Sequence, residues 1–274
     1  MTATGSHLDA SDADRLVGEL YRAHGLASIM RIGKTVNGIV MAASITPDVR
    51  YIGYVLMTTH GLDSARVRVV LADVASGKAV ASWPVPADDS IASLSIDADG
   101  NALAASAYDY YHYPPAENNQ NEPAHADLAQ WTSVLRPATS GTPVNKLPRL
   151  LPQAGTLALS PDGHTVYEFL QAGNVTSRSW RDRHPVTFDL AAVNASNGSV
   201  VSVLHTWQAV WADFVPQLAL DPAAGYLLIA DGTGLAKVDA ATGQYTAVPG
   251  RIPLEQTWAK FPLGQGGDLD PVAW

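Results

Sequence analysis

The sequence predicts an all-β fold, a β-propeller of four recognisable four-stranded blades preceded by a short N-terminal helix, and three observations predict it. After about residue 36 apolar residues alternate with period two, the spacing of a half-buried strand. The alternating runs are joined by turns rich in Pro, Asp and Gly, as β-hairpins are. The hairpins also recur: Ile45, Ile96, Leu159 and Leu220 hold the same place in four similar stretches, 51, 63 and 61 residues apart. Repetition at such a period is the mark of a radial fold in which each unit buries its faces on its neighbours. An antiparallel sandwich of similar strand number is the alternative that periodicity leaves open.

Residues 1–35 form the first segment. Leu16, Val17, Leu20 and Tyr21 fall at helical spacing after an acidic start at Asp9, Asp12 and Asp14, and Gly25 stands where a helix would end, so an amphipathic helix is expected over 12–25. Residues 36–274 form the propeller. Its first hairpins are 43–56, 94–108, 157–170 and 218–230. Each is followed by a second, at 67–85, 131–149, 186–204 and 234–250, whose turns end in Gly77, Gly141, Gly198 and Gly243. Glycine there supplies the positive φ that such turns demand.

Composition removes whole classes of function. A net charge of −9 with only 17 Lys and Arg lacks the basic footprint that nucleic-acid binding requires. The absence of cysteine excludes disulfides, thiolate nucleophiles and zinc–thiolate or iron–sulfur sites, and leaves the redox compartment open. No apolar run reaches the roughly 18 residues of a membrane span, and residues 1–40 lack the order of a secretory signal, so a cytoplasmic chain is expected.

No complete catalytic signature is present: there is no G-x-S-x-G elbow, H-E-x-x-H helix, phosphate-binding loop or EF-hand loop. "LGQGGDLD" at 263–270 does not fit a dinucleotide loop. Asp73, Asp97, Asp99, Asp162, Asp221 and Asp239 sit at blade turns, where a carboxylate accepts backbone N–H groups and needs no ligand. His112 and His125, with Asp109, Glu117, Glu122 and Asp127, make the one group a divalent ion could use. Such a loop supplies little of the fixed geometry metal selection needs, so neither a metal nor a cofactor is expected.

Two insertions remain. Residues 109–129 carry Tyr110, Tyr111, His112 and Tyr113, and residues 171–185 carry Arg178, Trp180, Arg181 and Arg183. Both fall between the second and third strands of consecutive blades, so both should emerge on one face of the disc. Aromatic and arginine side chains dominate interface hot spots. These eight residues are therefore the candidate binding surface, and a protein is the expected partner.

The stretches "VNGIVMAASITPD", "LALSPDGHTVY", "VDAATGQYTAVPG" and the closing "VAW" resemble the WD-type and TolB-like propeller modules of large actinobacterial proteins associated with sigma and anti-sigma factors, over roughly residues 36–274. The stretch "DADRLVGELYRAHG" is similar to the first helix of region 2 in extracytoplasmic-function sigma factors, over 15 to 20 residues only. The shared position of the two insertions and the absence of a complete catalytic motif point to a non-catalytic interaction or sensing module. The motifs of the resemblance are specific for the fold and weak for function, and what it adds is a link to sigma-factor regulation, without sigma activity itself. Alternatives are a metal-dependent hydrolase or lactonase of propeller fold, and a truncated product without independent activity. Propellers of the resembled group usually have more blades than four. Either four close tightly, with the N-terminal segment beside "VAW", or the ring is incomplete and its open blade edges permit self-association.

Overall fold

The computed structural model describes residues 17–18, 21–24, 28–31, 36–37, 39–59, 65–86, 89–109, 130–144, 147, 156–172, 185–210, 216–221, 223, 225–230 and 234–248. Among them every regular element except one short 3₁₀ turn is a strand, and no helix is long and apolar enough to cross a membrane. The first four strands are short: β1 (Val17–Gly18) pairs with β4 (Val36–Asn37), and β2 (Tyr21–His24) with β3 (Ser28–Arg31). The helix expected over 12–25 is therefore not supported. An isolated amphipathic helix of about fourteen residues is marginal, and Tyr21–His24 instead pairs with Ser28–Arg31.

Four antiparallel sheets follow in chain order. The first blade is β5 (Ile39–Ile45), β6 (Tyr51–Thr59), β7 (Ala65–Asp73) and β8 (Ala79–Pro84). The second is β9 (Asp89–Ile96), β10 (Leu103–Asp109) and β11 (Gln130–Leu135). The third is β12 (Ala158–Leu159), β13 (Thr165–Ala172), β14 (Pro185–Asn194) and β15 (Val200–Val210), and the fourth is β16 (Gln217–Leu220), β17 (Tyr226–Ala230), β18 (Leu235–Asp239) and β19 (Tyr245–Val248). Each is an up-and-down meander, so the repeat read from the sequence is a repeat of sheets.

The second blade departs from the expected four strands: three are present among the described residues. Pro137 and Pro143 lie where the last turn and strand would run, and proline cannot donate to a ladder. The chain instead forms a 3₁₀ turn at Pro137–Thr139 and leans on the outer strand of the first blade. Gly141 N–H donates to the Ser82 carbonyl at 2.8 Å and Val144 N–H to that of Pro84 at 3.2 Å. Ser82 N–H donates to Ser140 Oγ and the Trp83 indole to Thr139 Oγ1. The edge of β8 is thus covered, a common protection for an edge strand.

Successive first strands lie side by side, β5 against β9, β9 against β12 and β12 against β16, which is the radial arrangement. Side-chain hydroxyls join them. Ser44 Oγ accepts Ile96 N–H at 3.2 Å, Ser95 Oγ accepts Leu159 N–H at 2.9 Å, and Ser93 Oγ and Thr156 Oγ1 accept the N–H groups of Leu157 and Leu218. An inner strand has only one sheet neighbour, so these bonds satisfy backbone donors left over on its other edge.

The core lies between blades. Val55, Val69, Leu71, Trp83, Leu103, Ala105 and Trp131 are buried where the first blade meets the second. Ala102, Ala104, Leu157, Leu159 and Val166 fill the next junction, and Phe169, Leu190, Leu227, Ile229 and Val238 the one after.

Candidate functional site

The two long connections of interest are anchored at equivalent points. One joins Asp109, the last residue of β10, to Gln130, the first of β11; the other joins Ala172 of β13 to Pro185 of β14. In both cases the second strand of a blade hands over to the third. Tyr110, Tyr111, His112, Tyr113, Arg178, Trp180, Arg181 and Arg183 lie outside the described residues, as do His125, Glu117, Glu122 and Asp127. Among the described residues no three His, Asp or Glu side chains come together as a metal site would need.

At the opposite end of the blades, the turn carboxylates are occupied by their own turns. Asp73 Oδ1 accepts Ser76 N–H and Oγ–H, both at 2.7 Å. Asp239 Oδ1 accepts the N–H groups of Ala241 and Thr242, and Asp221 that of Ala223. Asp162 takes the Ser160 hydroxyl at 2.6 Å and His164 N–H at 3.0 Å, and Asp48 repeats that arrangement with Thr46 and Arg50. Hydrogen bonding to the charged form holds Asp48, Asp73, Asp162 and Asp239 below the ordinary carboxylate value, through Thr46, Ser76, Ser160 and Thr242 respectively. Asp97 is buried, which raises it, although it accepts Asn101 N–H at 2.8 Å. Each of these groups fixes a hairpin.

One buried carboxyl has no turn to fix. Glu168, in the middle of β13, is 2% exposed. The hydroxyl of Thr132, on β11 of the preceding blade, donates to its Oε2 at 2.5 Å, and its Oε1 has no hydrogen-bond partner among the described residues. Burial pushes the carboxyl up to about 7, and the Thr132 bond offsets this only in part. Such a group is half neutral near neutral pH.

The repeat shows how unusual that placement is. Each first hairpin closes with the same backbone bond, from Thr46, Asp97, Ser160 and Asp221 N–H to the carbonyls of Tyr51, Ala102, Thr165 and Tyr226. Counting on from that bond puts Glu168 in register with Tyr54, Ala105 and Ile229. The surface it meets differs in the same way. Ser93, Ser106 and Thr132 are partners across β9, β10 and β11 and make one buried row of hydroxyls. The corresponding pairs are Val55–Val69 in the first blade and Phe169–Leu190 in the third. There Ala105 and Ile229 complete apolar clusters. One junction of three is polar on both sides.

The sequence reading missed Glu168 because it stands inside an otherwise ordinary strand, "TVYEFLQA". Register against Tyr54, Ala105 and Ile229 was the signal that could have found it. Chemically the site offers a single neutral-to-anionic carboxyl among hydroxyls.

No protein-family model and no curated protein matches the sequence. Among solved structures the chain is similar to TolB from Acinetobacter baumannii, at 15% identity and a TM-score of 0.50, over 87% of this chain and 50% of that one. It is also similar to the putative TolB from Agrobacterium tumefaciens, at 11% identity and a TM-score of 0.50, over 86% of this chain and 76% of that one. This chain thus spans half the length of the first. At such identities the likeness is one of fold: the chain is an all-β module with the propeller architecture seen in TolB.

Proposed function

We propose that the chain is a non-catalytic propeller module for interaction or sensing, with its binding surface built from the connections 109–129 and 171–185. The observation that carries the reading is positional. Both connections start from the end of a second strand and return at the start of a third, in adjacent blades, whereas the equivalent connections of the first and fourth blades span only residues 60–64 and 231–234. Long connections at one rim of a rigid scaffold are where propellers and other repeat folds place recognition. Tyr110, Tyr111 and Tyr113 beside Trp180 and Arg181 supply the residue types that anchor protein interfaces. The resemblance to sigma-factor-associated modules makes a transcription-regulatory protein the first partner to seek.

The test replaces Tyr110, Tyr111, Tyr113, Trp180 and Arg181 with alanine and compares proteins retained by the variant and the parent. Loss of specific partners supports the surface, and an unchanged profile overturns it. Stoichiometric zinc or calcium on the purified protein would turn the reading towards a metal-dependent hydrolase.

A further inference from the structure

We propose that the contact of Glu168 with the hydroxyl row of the second blade is a pH-sensitive latch, which holds the second and third blades together while the carboxyl is neutral and releases that one junction when it ionises.

The geometry makes the two states unequal. In the neutral acid Oε2 serves as the carbonyl oxygen that accepts from Thr132, and the proton resides on Oε1. Once ionised, the carboxylate keeps the same single donor at 2.5 Å and has none at Oε1 among the described residues, on a side chain that is 2% exposed. A buried charge so poorly solvated is relieved by admitting water. Glu168 belongs to β13 and Thr132 to β11, so water reaches it only if the blades part.

Nothing packed against Glu168 compensates its charge among the described residues. β11 and β12 carry no titratable side chain. Those of β9 and β10 are Asp89, Tyr108 and Asp109, at the end of each strand that adjoins the 109–129 connection. Asp189 of β14 is engaged by the Thr206 hydroxyl at 2.6 Å, and Arg136, just past β11, donates to the Gly163 carbonyl. No charged neighbour contributes to the elevation of Glu168, which comes from burial to about 7. The other junctions lack the device, since the matching positions are Ala105 and Ile229.

Thr132 lies two residues inside β11 and Glu168 four residues before the end of β13. The latch therefore sits beneath the strand ends that anchor the two long connections. Its effect on binding rests on the function proposed above; the latch itself does not.

Hydrogen–deuterium exchange of the full chain at pH 5.5 and 8.5, corrected for intrinsic rates, tests it. A carboxyl that titrates at about 7 when buried and 4.5 when exposed changes the opening equilibrium roughly thirtyfold between those pH values. Protection in peptides covering 130–135 and 165–172 should fall by about that factor at pH 8.5, while peptides from 51–59 and 65–73 hold steady. In Glu168→Gln, which keeps an acceptor for Thr132 and does not titrate, the loss should vanish. If that variant does not fold, Glu168→Ile combined with Thr132→Val serves as the non-titrating reference. Equal pH dependence in the non-titrating variant, or no loss of protection in the parent, would overturn the proposal. An unchanged pull-down profile with the exchange result intact would fault only the function proposed above.

Discussion

Replacing the polar junction by the residue types of its sister blades tests how Glu168 and Thr132 depend on each other. Thr132→Val alone removes the one donor to the buried carboxyl among the described residues and leaves both oxygens without it, at a cost of about 1–3 kcal/mol. Glu168→Ile alone removes the carboxyl, whose elevation from 4.5 to about 7 corresponds to roughly 3 kcal/mol of stability lost at pH 8. It strands the Thr132 hydroxyl, which takes back about 1–3 kcal/mol. The double variant recreates the apolar junctions in which Val69 shares a cluster with Ala105 and Leu190 with Ile229. It should be more stable at pH 8 than the parent or either single variant, since a well-packed apolar replacement of buried polar partners is often neutral or stabilising. The decisive quantity is the coupling: Thr132→Val should destabilise beside Glu168 and be neutral or stabilising beside an isoleucine. That is a difference of at least about 1–3 kcal/mol, and more by whatever the stranded hydroxyl had cost. Urea denaturation of the four proteins at pH 8 measures it. A Thr132→Val effect equal in both backgrounds would refute the reasoning.

The same carboxyl fixes the sign of a pH dependence. Between 4.5 and about 7 the folded chain holds a proton on Glu168 that the unfolded chain has released, so this contribution is complete below 4.5 and is lost as pH rises through 7. Denaturation midpoints of Glu168→Gln should be flatter over that window than those of the parent. On the acid side, Asp48, Asp73, Asp162 and Asp239 are held below 3.8; their stabilisation is present above that value and fades as pH falls through the lowered ones. Alanine at two turn glycines separates backbone strain from collision. Gly141 has φ +86 with open space around it, whereas Gly243 has φ +72 and an added Cβ would overlap the Leu204 carbonyl oxygen. Gly141→Ala should cost about 1 kcal/mol and Gly243→Ala clearly more, as read from thermal midpoints. Ser95→Ala removes the acceptor of the buried Leu159 N–H and should destabilise by about 1–2 kcal/mol, with faster exchange of that amide.

The hairpins, their turn glycines and the order of the blades were legible in the chain because each depends on residues close in sequence. "LALSPDGHTVYEFL" states its own alternation and its own turn, and Ser160, Asp162 and Gly163 complete that turn locally. The ends of the two long connections followed from the same period. The residues named on them lie outside the described residues, so their arrangement stays a proposal. Two local readings failed where a distant partner or a missing donor decided. Leu16, Val17, Leu20 and Tyr21 have helical spacing, but Tyr21–His24 pairs with Ser28–Arg31. The turn and strand after β11 have hairpin composition, but Pro137 and Pro143 withhold donors and the segment binds β8 instead.

Glu168 marks the boundary most clearly. Its strand, its facing and its register are written in residues 157–170. That it is buried, short of donors and raised in pKa depends on the preceding blade, whose Thr132, its hydrogen-bond partner, lies 36 residues earlier in the chain. Alternation says which side chains share a face of a sheet. It carries no information about what the facing sheet presents, and the desolvation that sets the chemistry of a carboxyl comes from that second surface.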